Sequence, residues 1–173
     1  MVVDELAQRA GLTFTTAPSQ VPDTVVAKRH GEHAVMLAKP LTFMNRSGQA
    51  ISALVQYFGV TLSEVLVVVD DAALPMGRLR ARPRGTAGGH NGLKSVIGAL
   101  GTTEFSRLRL GVGRGDARLD LGDHVLGKFD AEERTALQSF VTRAADAAEM
   151  FAVAGIERVM NEFNPESTDP DDD

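Results

Sequence analysis

The chain has 173 residues, 43% of them apolar and 24% charged, with a net charge of −5 and no cysteine. That length builds one domain around one core, and the lack of cysteine excludes disulfides, thiolate metal sites and a thiol nucleophile, in keeping with a cytoplasmic protein. No apolar run reaches the length of a membrane span, the Met1–Glu5 stretch does not read as a signal peptide, and the histidines at 30, 33, 90 and 124 lack the helical spacing of a zinc pair.

Val2, Val3, Leu6 and Ala10 fall at helical spacing, and Gly11 is a natural stop. This predicts a first helix with no N-cap residue ahead of it. Residues 12–24 read as a loop. Residues 25–29 and 34–38 read as two strands joined by a His30–His33 hairpin turn, with Pro40 ending the second. Leu41–Gly48 reads as a loop, and a helix follows with Ile51, Leu54, Val55 and Phe58 on one face and Gly59 at its end. Thr61-x-x-Glu64 fits a capping box on a single turn.

Val65–Val69 is apolar without alternation, the mark of a strand buried on both faces, and it ends in Asp70-Asp71. Residues 78–82 form a further strand candidate, Gly85–Gly89 a glycine-rich loop, about 92–100 a helix, and 108–112 another strand. Asp130-x-x-Glu133 caps a long amphipathic helix that runs to Ala154 and is stopped by Gly155, with a short helix over about 156–163. The tail from Asn164 to Asp173 is proline-bearing and acidic and is expected to be disordered. Alternating strands and helices predict a single α/β domain over 1–163, three-layered αβα, with a central mixed, mostly parallel sheet, and a tail over 164–173.

Charge is segregated along the chain. Residues 76–128 carry ten basic and four acidic side chains, whereas residues 129–173 carry three basic and twelve acidic. Arg78, Arg80, Arg82 and Arg84 recur at every second position, which puts four guanidinium groups on one strand face, and no acidic residue lies between 72 and 103. A soluble sheet face or a phosphate-contacting face both fit, and the single sign favours phosphate. Arg107, Arg109, Arg114, Arg118 and Lys128 extend the basic segment. One Tyr and no Trp argue against a base-stacking platform and for recognition of RNA backbone and shape.

Asp70 ends the most apolar strand, where α/β sheets bind ligands. A carboxylate there orients a histidine, binds a cation or simply caps a turn. Asp71 is expected to face solvent. In the Gly85–Gly92 loop the N–H groups suit an oxyanion. Asn91 doubles as a candidate N-cap and His90 as a loop brace. Asn45 is a candidate cap and Phe43 a core candidate in their loop.

Together these segments resemble bacterial peptidyl-tRNA hydrolase. They are Val2–Ala7, Leu37–Gly48 with its Phe43-Met44-Asn45-Arg46-Ser47-Gly48 run, Val68–Asp71 with Leu74–Gly77, Ala87–Ser95 with Gly88-Gly89-His90-Asn91-Gly92-Leu93, Arg107–Arg114, Val125–Phe129, and Met160-Asn161. The resemblance covers residues 1 to about 164 and implies a cofactor-free, metal-free esterase that frees tRNA from a nascent peptide, acting as a cytoplasmic monomer in translation. It implies that Asp70 orients a catalytic histidine, that Asn45 and Asn91 bind substrate and water at the scissile ester, and that Phe43 and Met44 shape the cleft. It places Arg109, Arg82 and the basic segment against tRNA, with His90 beside Asn91. The family's opening strand with Gly-x-x-Asn-Pro-Gly, and its Thr-Arg-His-Asn segment with the basic histidine, have no match in residues 1–173. Met1 is accordingly expected to be an internal methionine of a longer protein, and this chain to have exposed strand edges and no hydrolytic activity by itself. A non-catalytic RNA-binding relative is the competing reading; a mononucleotide-binding module is disfavoured because no Lys-Ser/Thr follows the glycines.

Overall fold

Eight residues at the start, Val2–Arg9, form helix α1 because Val2, Leu6 and Ala7 make one buried stripe. Gly11, at φ +62°, ends it. The computed structural model of the chain describes residues 1–31, 34–113 and 131–164, the side chains of 131–134 excepted. Within them the strands are β1 (Thr15–Thr16), β2 (Thr24–Arg29), β3 (Val35–Pro40), β4 (Leu66–Asp71), β5 (Leu79–Arg82) and β6 (Ser106–Gly111). The further helices are α2 (Ser47–Phe58), α3 (Asn91–Leu100) and α4 (Ala131–Phe163), the last interrupted at Gly155, whose φ of 77° and ψ of 177° leave the helical region. Single 3₁₀ turns occupy Met44–Arg46 and Leu62–Glu64, and the Thr61/Glu64 capping box is present.

β1, β2 and β3 form one antiparallel sheet in that order, and β4, β6 and β5 form a second, in which β4 and β6 run parallel and β5 runs antiparallel to β6. The strands form one middle layer. Leu66, Val68, Leu79, Ala81 and Leu108, with Ala27 and Leu37, pack against α1 and α4. On the other side Val26, Met36 and Ala38 meet Leu54 of α2, and Val67 and Val69 meet Leu93 and Val96 of α3. The three-layer αβα domain is therefore as expected.

Three expectations change. Only the β4–β6 ladder among the four described is parallel; the short β2–β3 turn can join only antiparallel partners, and β5 runs antiparallel to β6 although α3 lies between them. β4 is not buried throughout: Val67 is, but Leu66, Val68 and Val69 are half-buried, since among the described residues β4 has a neighbour on its β6 side alone. The loop over 12–24 contains β1. Asp130, the basic residues 114, 118 and 128, and the tail beyond Asn164 lie outside the described residues.

Candidate active site

Two segments that are far apart in sequence are clamped together where α2 and α3 begin. At Gly48 the backbone N–H donates to Ser95 Oγ over 3.0 Å, and a Cβ at Gly48 would run into the Ser95 carbonyl. One turn earlier, a Cβ at Gly92 would lie 2.5 Å from Met44 Sδ and 2.8 Å from His90 Cε1. The Met44–Arg46 turn thus rests on the start of α3, with the Met44 thioether and the His90 ring meeting over a glycine. Asn45 and Asn91, one beside each member of that contact, are both exposed. Phe43 is 80% and Met44 50% exposed, so Phe43 is no core residue but an apolar rim beside Asn45.

His90, rather than Asn91, caps α3: its Nδ1 accepts the Leu93 N–H at 3.1 Å. That hydrogen bond fixes the ring's chemistry. With the Nδ1 lone pair engaged, the neutral ring carries its proton on Nε2 and is a donor there. Asn91 is relieved of capping and is exposed.

The end of β4 adds the carboxylates, with the expected exposures reversed. Asp70 is exposed and, by strand alternation, shares the α1/α4 face of Leu66 and Val68. Asp71 is buried at 8% exposure on the α3 face, where it accepts from Arg109 Nη1 at 2.9 Å and from the Ala73 N–H. The expectation that Asp71 faces solvent fails because the chain beyond it folds back: Val112 N–H donates to the Asp71 carbonyl. Asp70 therefore lies on the face of β4 opposite the one that packs on α3.

Arg109 is also not a freely presented phosphate contact. Its second nitrogen donates to the Thr86 carbonyl at 2.9 Å, so it ties the glycine-rich loop to the strand end. Arg107 is 1% exposed. It donates to the carbonyls of Gly85, Thr86, Thr103 and Phe105, and its guanidinium lies 4.2 Å over the Phe105 ring. Burial, and then the neighbouring Arg109, push its pKa down from the usual arginine value, with Glu104 opposing; guanidinium basicity keeps it charged. The four-arginine strand face shrinks to Arg80 and Arg82 on β5, both half-buried, while Arg84 lies past the strand end near Glu104 at 3.6 Å.

Met44 and His90 therefore meet over Gly92, Phe43, Asn45 and Asn91 neighbour them in sequence, Asp70 lies near the end of β4, Arg109 braces the loop, and Arg82 lies on β5. Sequence reasoning passed over Gly48, Ser95 and the structural use of Asp71 and Arg107. Parity held a signal for the last two: Asp71, like Val69, falls on the face that must be covered. A groove of about 620 Å³ along α4, lined by Gln138, Ser139, Thr142 and Arg143 among others, contains none of these residues. Among the described residues no group of His, Asp and Glu could hold a metal ion, and no helix is long and apolar enough to cross a membrane.

A family model described as peptidyl-tRNA hydrolase matches residues 1–171. The peptidyl-tRNA hydrolase of Chloroflexus aggregans is 43% identical over 166 residues, covering 94% of this chain and 86% of that one. That of Geobacillus kaustophilus is 44% identical over 163 residues, covering 94% and 87%. Among solved structures, Acinetobacter baumannii peptidyl-tRNA hydrolase superposes with a TM-score of 0.78 at 27% identity, over 96% of this chain and 84% of that one.

Proposed function

The chain belongs to the peptidyl-tRNA hydrolase family, hydrolases of the ester between a peptide and its tRNA, and we propose that the Asn45–Asn91 cleft is where it holds that ester. The observation that carries this reading is the clamp of Gly48 on Ser95 and of Met44 on Gly92, which sets two exposed amides on neighbouring turns.

In ester hydrolysis a water oxygen bonds to the carbonyl carbon, the carbonyl electron pair moves to oxygen, and collapse of that oxyanion expels the ribose oxygen, which takes a proton. The side-chain amides of Asn45 and Asn91 can donate to the oxyanion and orient the water. Phe43 and Met44 supply an apolar wall against which the peptidyl group can shed water. His90, with Nδ1 engaged, donates rather than abstracts. The water's proton needs another base. The resemblance assigns it to a histidine in the Thr-Arg-His-Asn segment, which residues 1–173 do not contain, and Asp70, exposed on the α1 side, is the carboxylate to orient it. The half-exposed Arg80 and Arg82 face the tRNA phosphates, and the protein works as a cytoplasmic monomer.

Release of peptide from an N-acetylated aminoacyl-tRNA, measured in a form of the chain extended by the family's Thr-Arg-His-Asn segment, tests the reading. Cleavage that drops at least 10-fold in each of Asn91→Ala and Asp70→Asn supports it. Cleavage unaffected by Asn45→Ala and Asn91→Ala would move the site elsewhere. Salt-sensitive tRNA binding with no ester cleavage even in that extended form would favour the RNA-binding relative, which the lack of a matched histidine motif keeps as the second reading.

A further inference from the structure

Helices α2 and α3 begin in different ways. At α3 the cap is its own, His90 Nδ1 accepting the Leu93 N–H. At α2 the N-cap residue is Arg46, whose side chain makes no capping hydrogen bond. The Ser47 N–H is taken up by the Met44 carbonyl inside the 3₁₀ turn. The next donor, Gly48 N–H, has no acceptor in its own helix. Gly48 is buried, so water is a poor substitute. The acceptor comes from the other helix: Ser95 Oγ, at 3.0 Å and 47 residues away in sequence. Helix α2 is thus capped by a side chain of α3.

Both partners are residues a helix does not favour. A serine inside a helix competes with its backbone, and a glycine forfeits helix propensity. The contact accounts for both: a Cβ at Gly48 would lie 2.0 Å from the Ser95 carbonyl oxygen, so only glycine lets α2 come close enough for the bond. The bond also sits one turn from each asparagine. Asn91 opens α3, and Ser95 lies four residues on. Asn45 lies three residues before Gly48, in the Met44–Arg46 turn. Among the described residues this is the only hydrogen bond between residues 43–58 and 85–100. The other contact between them, Met44 against Gly92 and His90, is made by a flexible thioether with no directional hold.

We propose that Ser95 is a positioning residue for ester hydrolysis: through Gly48 it fixes the turn that carries Asn45 against the turn of α3 that carries Asn91. Its effect on cleavage rests on the reading of that cleft as the ester site; its bond to Gly48 does not. Ser95 itself touches no reacting atom. Without its hydroxyl the Asn45 turn is held on α3 by the Met44 contact alone and shifts while the domain stays folded. A small displacement of a donor aimed at a developing oxyanion slows the chemical step more than it weakens binding. Loss of the hydroxyl therefore acts on kcat, and acts only while Asn45 is there to be misplaced.

Two measurements decide it. In chain 1–173, amide hydrogen exchange at Gly48 should be about 10-fold faster in Ser95→Ala than in the unaltered chain, while the amides of α3 keep their rates. In the form extended by the family's Thr-Arg-His-Asn segment, cleavage of N-acetylated aminoacyl-tRNA is followed for Ser95→Ala, Asn45→Ala, Asn91→Ala and the Ser95→Ala/Asn45→Ala double variant. Ser95→Thr, which keeps an Oγ acceptor, is the conservative control, and Ser95→Cys, a weaker acceptor of similar shape, gives the same comparison at smaller amplitude should Ser95→Ala fail to fold. We expect Ser95→Ala to lower kcat about 10-fold with KM changed by no more than about 2-fold, and Ser95→Thr to recover most of the loss. The double variant should be slower than Asn45→Ala by no more than about 2-fold. A loss of the same size in the Asn45→Ala background, a loss confined to KM, or an unchanged exchange rate at Gly48 overturns the positioning role alone. If neither Asn45→Ala nor Asn91→Ala slows cleavage, the cleft is not the ester site, and the role falls with that reading.

Discussion

β5 and β6 each carry two arginines at the same alternating spacing, and the ladder sets them directly opposite one another, Arg80 against Arg109 and Arg82 against Arg107. Four like charges on one face of two paired strands would repel, yet the two strands resolve this differently. The glycine-rich loop folds back over β6, so Arg107 is buried among four carbonyls and Arg109 lies between Asp71 and Thr86. On β5 the pair Arg80 and Arg82 is half-buried. Identical residues at identical spacing therefore become a structural brace on one strand and a candidate recognition face on the next. Which one they become is decided by the path of a loop that neither strand encodes.

The largest way to break this contrast is Arg107→Met. It removes the cation, takes the guanidinium donor from the carbonyls of Gly85 and Phe105 while Thr103 keeps the Gly85 and Phe105 N–H groups, and should lower stability by about 3 kcal/mol. For a chain of this size that is a fall of roughly 8 °C in the melting temperature. The same change at Arg80, which is half-buried rather than enclosed, should cost less. Equal losses at the two positions, measured by urea unfolding, would erase the distinction. Next comes Asp71→Ala, which strips Arg109 of its carboxylate while Thr86 still holds it; about 2 kcal/mol is expected, since the pair is mostly buried. Paired with Arg109→Ala in a double-mutant cycle, it should show non-additivity, because each residue's main partner is the other.

The legibility of this protein in its sequence follows the same line. Elements defined by local periodicity were readable: α1 with its glycine stop, the β2–β3 hairpin, α2, the Thr61/Glu64 capping box and the break of α4 at Gly155 all agree within a residue or two. So were the two turn motifs that carry Asn45 and Asn91. What periodicity could not give was coverage. The alternation of Asp70 and Asp71 assigns them to opposite faces, but which face is open depends on the return of residues 111–112 past β4. His90 took the cap expected of Asn91 because its ring nitrogen, one residue earlier, reaches Leu93. The arginines split for the same reason.

A third prediction sharpens the β5 side. Arg80→Gln with Arg82→Gln should lower the melting temperature less than Arg107→Met does and weaken tRNA binding by about 10-fold at low salt, with the slope of log affinity against log salt falling by about 0.9 per lost phosphate contact on a duplex stem. Arg107→Met, in the fraction that remains folded, should keep the slope of the unaltered chain. A slope that falls with Arg107 and not with Arg80 would invert the roles assigned to the two strands.

The smallest effect lies outside both arginine pairs and asks whether surface ion pairs elsewhere behave like β5. Asp4 joins α1 to β3 through Lys39. Burial pushes its carboxyl up, but the hydrogen bond from Lys39 and contacts with the terminal ammonium outweigh this and hold it below the usual aspartate value. A carboxylate with a depressed folded pKa stabilises the protein above its unfolded pKa and loses that contribution as pH falls through the folded one. Asp4 is half exposed, so solvent screening cuts the contribution to about 0.3 kcal/mol. Urea unfolding of Asp4→Asn should therefore show that small deficit at pH 7, and the two proteins should converge as pH falls through the lowered folded pKa of Asp4, beyond which both carry a neutral side chain at position 4. A deficit that persists in acid would mean that Asp4 acts through packing of α1 on β3, as Arg107 acts through packing of the loop, and the pair would belong with β6 instead of β5.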